Sequence, residues 1–465
     1  MRSVIIISLV VLAGCMVGPK YQKPVVTTPE QYRDSQYSKA GDTISYLAWW
    51  NLFKDPALNQ LIKETVDSNR NIRTTLARVE ESRLAVGFAR TSALPSVGYG
   101  ARAGYYDLSN NNANEVGGGS PRAAYNLFAS ASWEPDFWGK FKNEKIAAQS
   151  EMRATEDDYR SMYITLVAET AMQYFLLRDL DERLTIAQNT LKSREATFVI
   201  INARFEKGEV AEMDKLQAEG QVAIAKATIS NLTRNIRQTE NALSVLSGKM
   251  PGEIRRGMLN AEQQIPPELP VGLPSTLLSQ RPDVRAAEQM LQAQFARIGI
   301  AQALRYPSID LMAALGLHSQ DFSKLFTTNA ISSVLSAGIT GPIFEFGRNK
   351  KRVEIEKKRS EQFLHQYEQT ILVAFKDVQD GLIGIETYKS ERENLEHLVA
   401  TTKKTYELAY ARYEAGYSNY LELLDAERML FDAENNASVI RREQLISFVQ
   451  LYRSLGGGWD NSVNF

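Results

Sequence analysis

The sequence predicts an α+β fold that combines long coiled-coil helices with a few strands, and two observations support this. The first is an internal repeat: residues 203–220 (ARFEKGEVAEMDKLQAEG) recur 208 positions later as residues 411–428 (ARYEAGYSNYLELLDAER). The second is that apolar residues at heptad spacing and runs of alternating apolar residues follow one another in the same order in both copies. Together they predict one structural unit used twice.

The repeat extends well beyond these eighteen residues. The interval from Arg73 to Pro95 is repeated from Arg285 to Pro307, and the interval from Gly139 to Gly208 is repeated from Gly347 to Gly416, both without a gap. We therefore expect a tandem duplication of a unit of about 200 residues. The predicted segments are a signal peptide (1–14), an N-terminal extension (15–55), a first repeat (56–248), a linker that joins the copies (249–275), a second repeat (276–456) and a C-terminal tail (457–465).

The helices are predicted from the spacing of apolar residues. Six of seven heptad positions are apolar between Tyr163 and Phe205, and no Pro or Gly interrupts 143–205, so one helix of roughly 95 Å is expected. Two separate helices with a hidden break are the alternative. The second copy is less regular, because Gly381 and Gly384 lie inside it. Shorter helices are expected over about 56–93 and 211–247.

The strands are predicted from alternation of apolar and small or polar residues in 97–105, 125–133, 309–317 and 335–339. Most of these runs have about the nine to eleven residues that cross a bilayer as a barrel strand, although a soluble hairpin is the alternative. Four strands cannot close a barrel, and an open edge in lipid leaves backbone groups unpaired. Closure therefore needs several chains, and three chains would give a twelve-stranded barrel with room for a channel.

The N-terminus predicts export and a lipid anchor. Arg2 precedes a short apolar run, which small residues and the single cysteine follow in LAGC, residues 12–15. A run this short indicates a cleaved signal rather than a membrane span. LAGC resembles a bacterial lipobox, which implies that Cys15 becomes the first mature residue and is acylated. A chance cysteine after a signal peptide is the alternative; no other cofactor is expected.

Several segments together resemble the outer membrane factors of tripartite efflux systems, the TolC-type channels, and within them the lipidated branch. They are CMVGPKYQKP (15–24), WWNLFKDPALNQLI (49–62), WEPDFWGK (133–140), SQRPDVRAAEQ (279–289), YPSI (306–309), GPIFEFGRN (341–349) and YLELLDAER (420–428). The resemblance implies a homotrimer with a twelve-stranded β-barrel in the outer membrane of a Gram-negative-type bacterium. It also implies a twelve-helix periplasmic tunnel, a periplasmic adaptor and an inner-membrane pump of the resistance-nodulation-division type.

The resemblance also implies a gate near the second helical turn. The family pattern places a tyrosine three residues before the turn glycine and acids six and nine residues after it, which here are Tyr413, Glu422 and Asp425. The equivalent acid of the first copy is Asp214. A base often found two residues after the second glycine is replaced by Ser418. A solvated acidic helix face is the alternative for Glu422 and Asp425, which lie three residues apart.

The turns and one aromatic group complete the candidate sites. Gly208 and Gly416 are expected to take positive φ at helix–helix turns. Their neighbours are then exposed and would contact the adaptor: Lys207, Glu209, Val210, Ala415, Tyr417 and Ser418. Trp133, Phe137 and Trp138 are expected at the membrane interface, with plain core packing as the alternative.

Other function classes find little support in the sequence. The net charge of −1 provides no basic surface for nucleic acid. The three histidines are scattered, and no zinc spacing, nucleophile elbow or phosphate loop is present, so neither an enzyme nor a metal site is expected. The main alternative to a channel is a non-conducting, lipid-anchored coiled-coil scaffold or adaptor, and a general porin is a weaker one.

Overall fold

The computed structural model describes residues 16–29, 32–33, 48–106, 122–265 and 278–458. The predicted signal peptide, Cys15, part of the linker and most of the C-terminal tail lie outside these residues. The main described elements, in chain order, are α1 (Pro56–Ser68), α2 (Arg70–Thr91), β1 (Ser96–Tyr106), β2 (Arg122–Trp133), α3 (Lys140–Glu206), α4 (Glu212–Leu246), α5 (Pro282–Ala303), β3 (Ser308–Ser319), β4 (Ile331–Thr340), α6 (Arg348–Glu414) and α7 (Tyr420–Ser454).

The chain divides into two compact units, and each long helix contributes residues to both. The first unit contains Arg78–Thr155 and Ala287–Tyr367 with the N-terminal residues up to Val25. Its centre is an antiparallel sheet in the order β1-β2-β3-β4. The long helices and the four strands confirm the predicted α+β fold.

The strand register separates the two faces of this sheet. Val97 lies opposite Ala131, Ala131 opposite Ala313, and Ala313 opposite Leu335. Because directly opposed residues share a face, the odd-numbered residues of all four strands lie on one side. That side is mostly apolar, as the alternation predicted, and the even-numbered side is rich in glycine and serine.

The two long helices are each 67 residues and begin 208 positions apart. The described α3 is continuous, so the alternative of a hidden break is wrong. Gly381 and Gly384 do not interrupt α6 either. A Cβ at these positions would lie 3.1 Å from the Cβ atoms of Leu451 and Ser447, so both glycines permit close packing against α7.

The single helix predicted over 56–93 is wrong, because the structure has two helices that meet at Asn69. This residue is extended, with φ −62° and ψ 132°. Its Oδ1 accepts hydrogen bonds from the N–H groups of Asn71 and Ile72 and so caps α2. Its Nδ2 donates to the Leu246 carbonyl, 2.8 Å away, so the break is held by the end of α4.

The second unit contains Val26–Ala77, Glu156–Ala286 and Glu368–Phe465, and a buried carboxylate ties its linker to its helices. Asp55 caps α1 through Oδ1. Its Oδ2 accepts hydrogen bonds from the Tyr174 hydroxyl at 2.7 Å, the Met258 N–H and the Gln263 side chain. The linker residues around Met258 are therefore fixed to α1 and α3 through one side chain.

Candidate functional site

The two helix–helix turns, which we call the tips, are residues 207–210 between α3 and α4 and residues 415–418 between α6 and α7. Gly208 has φ 74° and Gly416 has φ 77°, which confirms the predicted positive φ. The N–H groups of Gly208 and Glu209 donate to the carbonyls of Phe205 and Arg204. The second tip repeats this pattern with Gly416 and Tyr417, so both helices end in the same hydrogen-bonded turn.

Most tip residues are exposed in the chain, as the sequence predicted for the neighbours of the two turn glycines. The exposed residues are Lys207, Gly208, Glu209, Ala415, Gly416 and Tyr417. Val210 and Ser418 are partly buried instead. Val210 packs against the apolar cluster around Ile201, and the Ser418 hydroxyl oxygen is buried without a hydrogen-bond partner among the described residues.

Tyr413 is buried just above the second tip, and only 5% of it is exposed. The Arg204 guanidinium carbon lies 5.0 Å from the centroid of its ring. The Tyr413 hydroxyl has no hydrogen-bond partner among the described residues, so it forms no hydrogen bond with the Asp214 carboxylate within the chain. Arg204 covers the ring because its guanidinium also donates to the Glu414 carbonyl at the end of α6.

Burial is the main cause of a raised pKa for the Tyr413 phenol, because the charged form would lose its hydration. Arg204 lowers this pKa, and the Asp214 carboxylate is near enough to raise it. Asp214 lies in the first turn of α4. The structure thus places Tyr413, Asp214 and a base from the first copy close together.

Glu422 and Asp425 lie on exposed positions of α7, one turn apart. The Glu422 carboxylate lies 3.3 Å from the Arg412 Nε, in an exposed ion pair. Asp425 has no ion pair within the part of the chain that the structure describes. The charge of Asp425 is therefore less neutralised within the chain than that of Glu422.

A buried ion pair between the copies was missed by the sequence reasoning. Arg194 of α3 donates to Glu427 of α7 at 2.9 Å, and both side chains are more than nine-tenths buried. Arg194 also donates to the Gln221 carbonyl of α4, so three helices meet at this side chain. Burial raises the pKa of Glu427, and Arg194 partly offsets this. The available signal was a difference between the copies, since Thr402 occupies the position equivalent to Arg194.

Two of the three aromatic residues predicted at the membrane interface, Trp133 and Trp138, donate hydrogen bonds to backbone carbonyls. The Trp133 indole N–H donates to the Ala93 carbonyl at 3.1 Å. Trp138 is stacked on Tyr306, with ring centroids 4.6 Å apart, and its N–H donates to the Pro307 carbonyl. Phe137 is partly buried. All three lie near the end of the sheet from which α3 departs.

The residues that follow Cys15 are attached to the same region. The Val17 N–H donates to the Trp138 carbonyl, and the Met16 side chain lies against Gly139. Lys23 forms an ion pair with Glu288 of α5 at 2.6 Å. Cys15 itself lies outside the described residues, but its neighbour is fixed beside Trp138.

No helix in the part of the chain that the structure describes is both long and apolar enough to cross a membrane. The described residues also contain no group of three or more histidine, cysteine or acidic side chains arranged to hold a metal ion.

Comparison with known proteins shows the family. The model of the family "Outer membrane efflux protein" matches residues 61–249 and again residues 273–457. The toluene efflux pump outer membrane protein TtgF of Pseudomonas putida is 33% identical over 472 residues, which cover 97% of this chain and 96% of TtgF. The probable outer membrane lipoprotein SilC of Salmonella typhimurium is 31% identical over 455 residues, 97% of each chain.

The fold comparison agrees with the sequence comparison. The solved structure of the outer-membrane channel OprN matches with a TM-score of 0.88 and 27% identity, over 96% of this chain and 100% of that one. This match confirms the resemblance that the sequence motifs implied. The chain therefore belongs to the outer membrane efflux protein family and is an outer-membrane channel protein of an efflux system.

Proposed function

We propose that three copies of this chain form a closed duct in the outer membrane, which passes small molecules from the periplasmic side to the outside. The observation that carries this proposal is the sheet of the first unit. It has one mostly apolar face, and its edge strands β1 and β4 have no further partner among the described residues. Open strand edges are not tolerated in lipid, and three such sheets supply the twelve strands of a channel-sized barrel.

The partners follow from the family and from the tips. Outer membrane components of efflux pumps work with an inner-membrane pump, here of the resistance-nodulation-division type, and with a periplasmic adaptor. The adaptor would contact the exposed residues of the two tips. A lipid on Cys15 would add a second anchor, which is supported by the name of SilC as a lipoprotein and by the fixed position of Met16 beside Gly139.

The gate is assigned to the helix ends above the tips. Tyr413, Asp214 and Arg204 would hold the second hairpin against the first, and three copies of Glu422 and Asp425 would form an acidic ring that favours cations. The chain is proposed to have no catalytic activity. A non-conducting scaffold is disfavoured because it would not need a sheet with one apolar face.

Conductance in planar lipid bilayers tests the proposal directly. The purified, detergent-solubilised protein should give discrete conductance steps, and its mass in detergent should equal that of three chains. A matched preparation that was heat-denatured before insertion serves as the control. Protein with the mass of three chains that never conducts, even with Arg204→Ala at the gate, would support the scaffold instead.

A further inference from the structure

The two β-hairpins of the sheet, β1–β2 and β3–β4, have the same register. In the first hairpin Ser96 lies opposite Ser132, and the pairing continues to Tyr105 opposite Ala123. Adding 212 to the residue numbers of β1 and 208 to those of β2 converts this series into the pairs of the second hairpin, from Ser308–Thr340 to Leu317–Ile331. The internal duplication therefore extends to individual backbone pairs.

The boundary between the two copies, where β2 pairs with β3, has two kinds of contact. Along the strands, Trp133 lies opposite Leu311 and Ala131 opposite Ala313. At the foot of the strands, Trp138 is stacked on Tyr306 and donates to the Pro307 carbonyl at 2.7 Å. The chain thus shows once how the end of one copy meets the start of the next.

We propose that the boundary between neighbouring chains repeats this arrangement, with β4 of one chain paired to β1 of the next in the register that the same shifts give. The inference rests on the proposed function, in which three chains close a barrel. The pair Trp133–Leu311 then corresponds to Gly341 opposite Tyr99 of the next chain. In the same register Gly338 lies opposite Arg102, and Ile339 opposite Ala101, of the next chain. At the foot, Phe346 takes the place of Trp138, and Leu94 of the next chain takes the place of Tyr306.

Three observations agree with this register. Odd residues meet odd residues across the chain boundary, so the apolar face continues, whereas a slip by one residue would turn Leu335 and Ile339 to the other face. Phe346 is 87% exposed and Leu94 is 59% exposed within one chain, although their counterparts Trp138 and Tyr306 stack on each other. Finally, a Cβ at Gly338 would meet no atom within 4 Å in the chain, so the space beside it is open.

Slips by two residues also preserve the apolar face, so the test must distinguish them. Arg102→Cys is combined with Gly338→Cys for the proposed register, and with Ser336→Cys or Thr340→Cys for the two slipped registers. Residues directly opposite lie within reach of a disulfide, whereas a displacement by two residues separates them by about 7–8 Å, which is too far. Cys15 is kept in every variant, and each single cysteine variant serves as a control.

Mild oxidation of outer membranes should link the Arg102→Cys/Gly338→Cys variant into covalent dimers and trimers. The yield should exceed that of either slipped pair about five-fold or more, and the single variants should give none. Better linking of a slipped pair, or equal linking of all three, would overturn the register while the mass of three chains in detergent leaves the proposed duct standing. A detergent mass of one chain would overturn both.

The contact at the foot is tested separately. Phe346 has φ 50°, which asparagine tolerates, so Phe346→Asn removes the ring without adding backbone strain. Ile343→Ser is the matched control, because Ile343 is exposed on the same segment, whereas the ring of Phe344 packs against that of Phe346 with centroids 4.5 Å apart. Heating in dodecyl sulfate should dissociate the Phe346→Asn trimer at a lower temperature than the Ile343→Ser trimer. Equal dissociation temperatures would overturn the contact between Phe346 and Leu94.

Discussion

Arg204 places a positive charge beside Tyr413, although Ser418 replaces the base of the family pattern. Its guanidinium lies over the Tyr413 ring and donates to the Glu414 carbonyl. A basic residue of the first helical hairpin (α3–α4) therefore binds the end of α6 in the second (α6–α7). The Tyr413 hydroxyl, by contrast, has no hydrogen-bond partner among the described residues. Within the chain, Tyr413 therefore contacts the first helical hairpin through its ring.

This arrangement predicts different effects for two substitutions at the proposed gate. Tyr413→Phe keeps the ring and should leave the conductance of the closed channel within about two-fold of the native value. Arg204→Ala should raise this conductance several-fold. A cation–π contact contributes about 0.5–1 kcal/mol, and the contributions of three copies in a trimer add together. Single-channel recording checks both variants, with Arg204→Lys as the charge-preserving control. A larger effect of Tyr413→Phe than of Arg204→Ala would contradict the assignment.

The two acids on α7 should differ in their effect on ion selectivity. Glu422 is paired with Arg412 in the chain, so its charge is partly neutralised, whereas Asp425 has no such pair within the described residues. Asp425→Asn should therefore reduce the preference for cations, and block by multivalent cations, more than Glu422→Gln does. The reversal potential in a salt gradient measures this preference. Equal shifts for the two variants would show that the Arg412 pair is open in the trimer.

At the scale of elements, the break between α1 and α2 depends on one side chain. Asn69→Ala removes the cap of α2 and the hydrogen bond to the Leu246 carbonyl. The expected loss is about 1–3 kcal/mol of unfolding free energy. Thermal unfolding followed by circular dichroism measures it. Asn71→Ala, at an exposed position two residues on, is the control and should change stability by less than about 0.5 kcal/mol.

The buried pair of Arg194 and Glu427 should make stability depend on pH once it is broken. Arg194→Ala leaves a buried carboxylate without a partner, which costs about 3–5 kcal/mol near neutral pH. Burial already raises the pKa of Glu427, and removal of Arg194 raises it further. The loss of unfolding free energy should therefore be complete above this raised pKa. It should fade as the pH falls towards about 4.3, the pKa of a glutamate in the unfolded chain.

The double variant Arg194→Ala/Glu427→Gln is the control for this effect. It has no charge at the site, so its unfolding temperature relative to the native protein should not show the added pH dependence. The measurement is thermal unfolding of the detergent-solubilised protein between pH 5 and pH 8. A loss in Arg194→Ala that stays constant over this range would mean that packing, and not the unpaired carboxylate, is the cause.

Across the chain, periodic patterns of apolar residues predicted the long helix and the strands correctly. Contacts between residues far apart in the sequence could not be predicted from such patterns. Heptad spacing predicted α3, and alternation predicted the strands, because both patterns arise from local geometry and one apolar face. The break at Asn69 was missed because its partner Leu246 is 177 residues away, and Asn69 interrupts no apolar pattern. The ion pair of Arg194 and Glu427, 233 residues apart, was missed for the same reason.

Docking of the proposed adaptor should depend on the backbone geometry of both tips. A Cβ at Gly208 or Gly416 would meet no atom within 4 Å, so a valine there would disturb only the backbone, which has φ 74° and 77°. Positive φ costs an L-residue about 1–2 kcal/mol, so Gly208→Val and Gly416→Val should each change the turn and weaken binding of the adaptor.

Gly220→Val is the matched control for these two substitutions. Gly220 is exposed within α4, its Cβ would also lie in open space, and its φ is not positive. Its substitution should leave adaptor binding intact. Chemical cross-linking of each variant to the adaptor in the periplasm measures the contact, and the detergent mass confirms that the trimer persists. If Gly208→Val and Gly416→Val both cross-link at the same yield as Gly220→Val, the adaptor binds elsewhere on the helices, and the repeated turn serves only to reverse the chain.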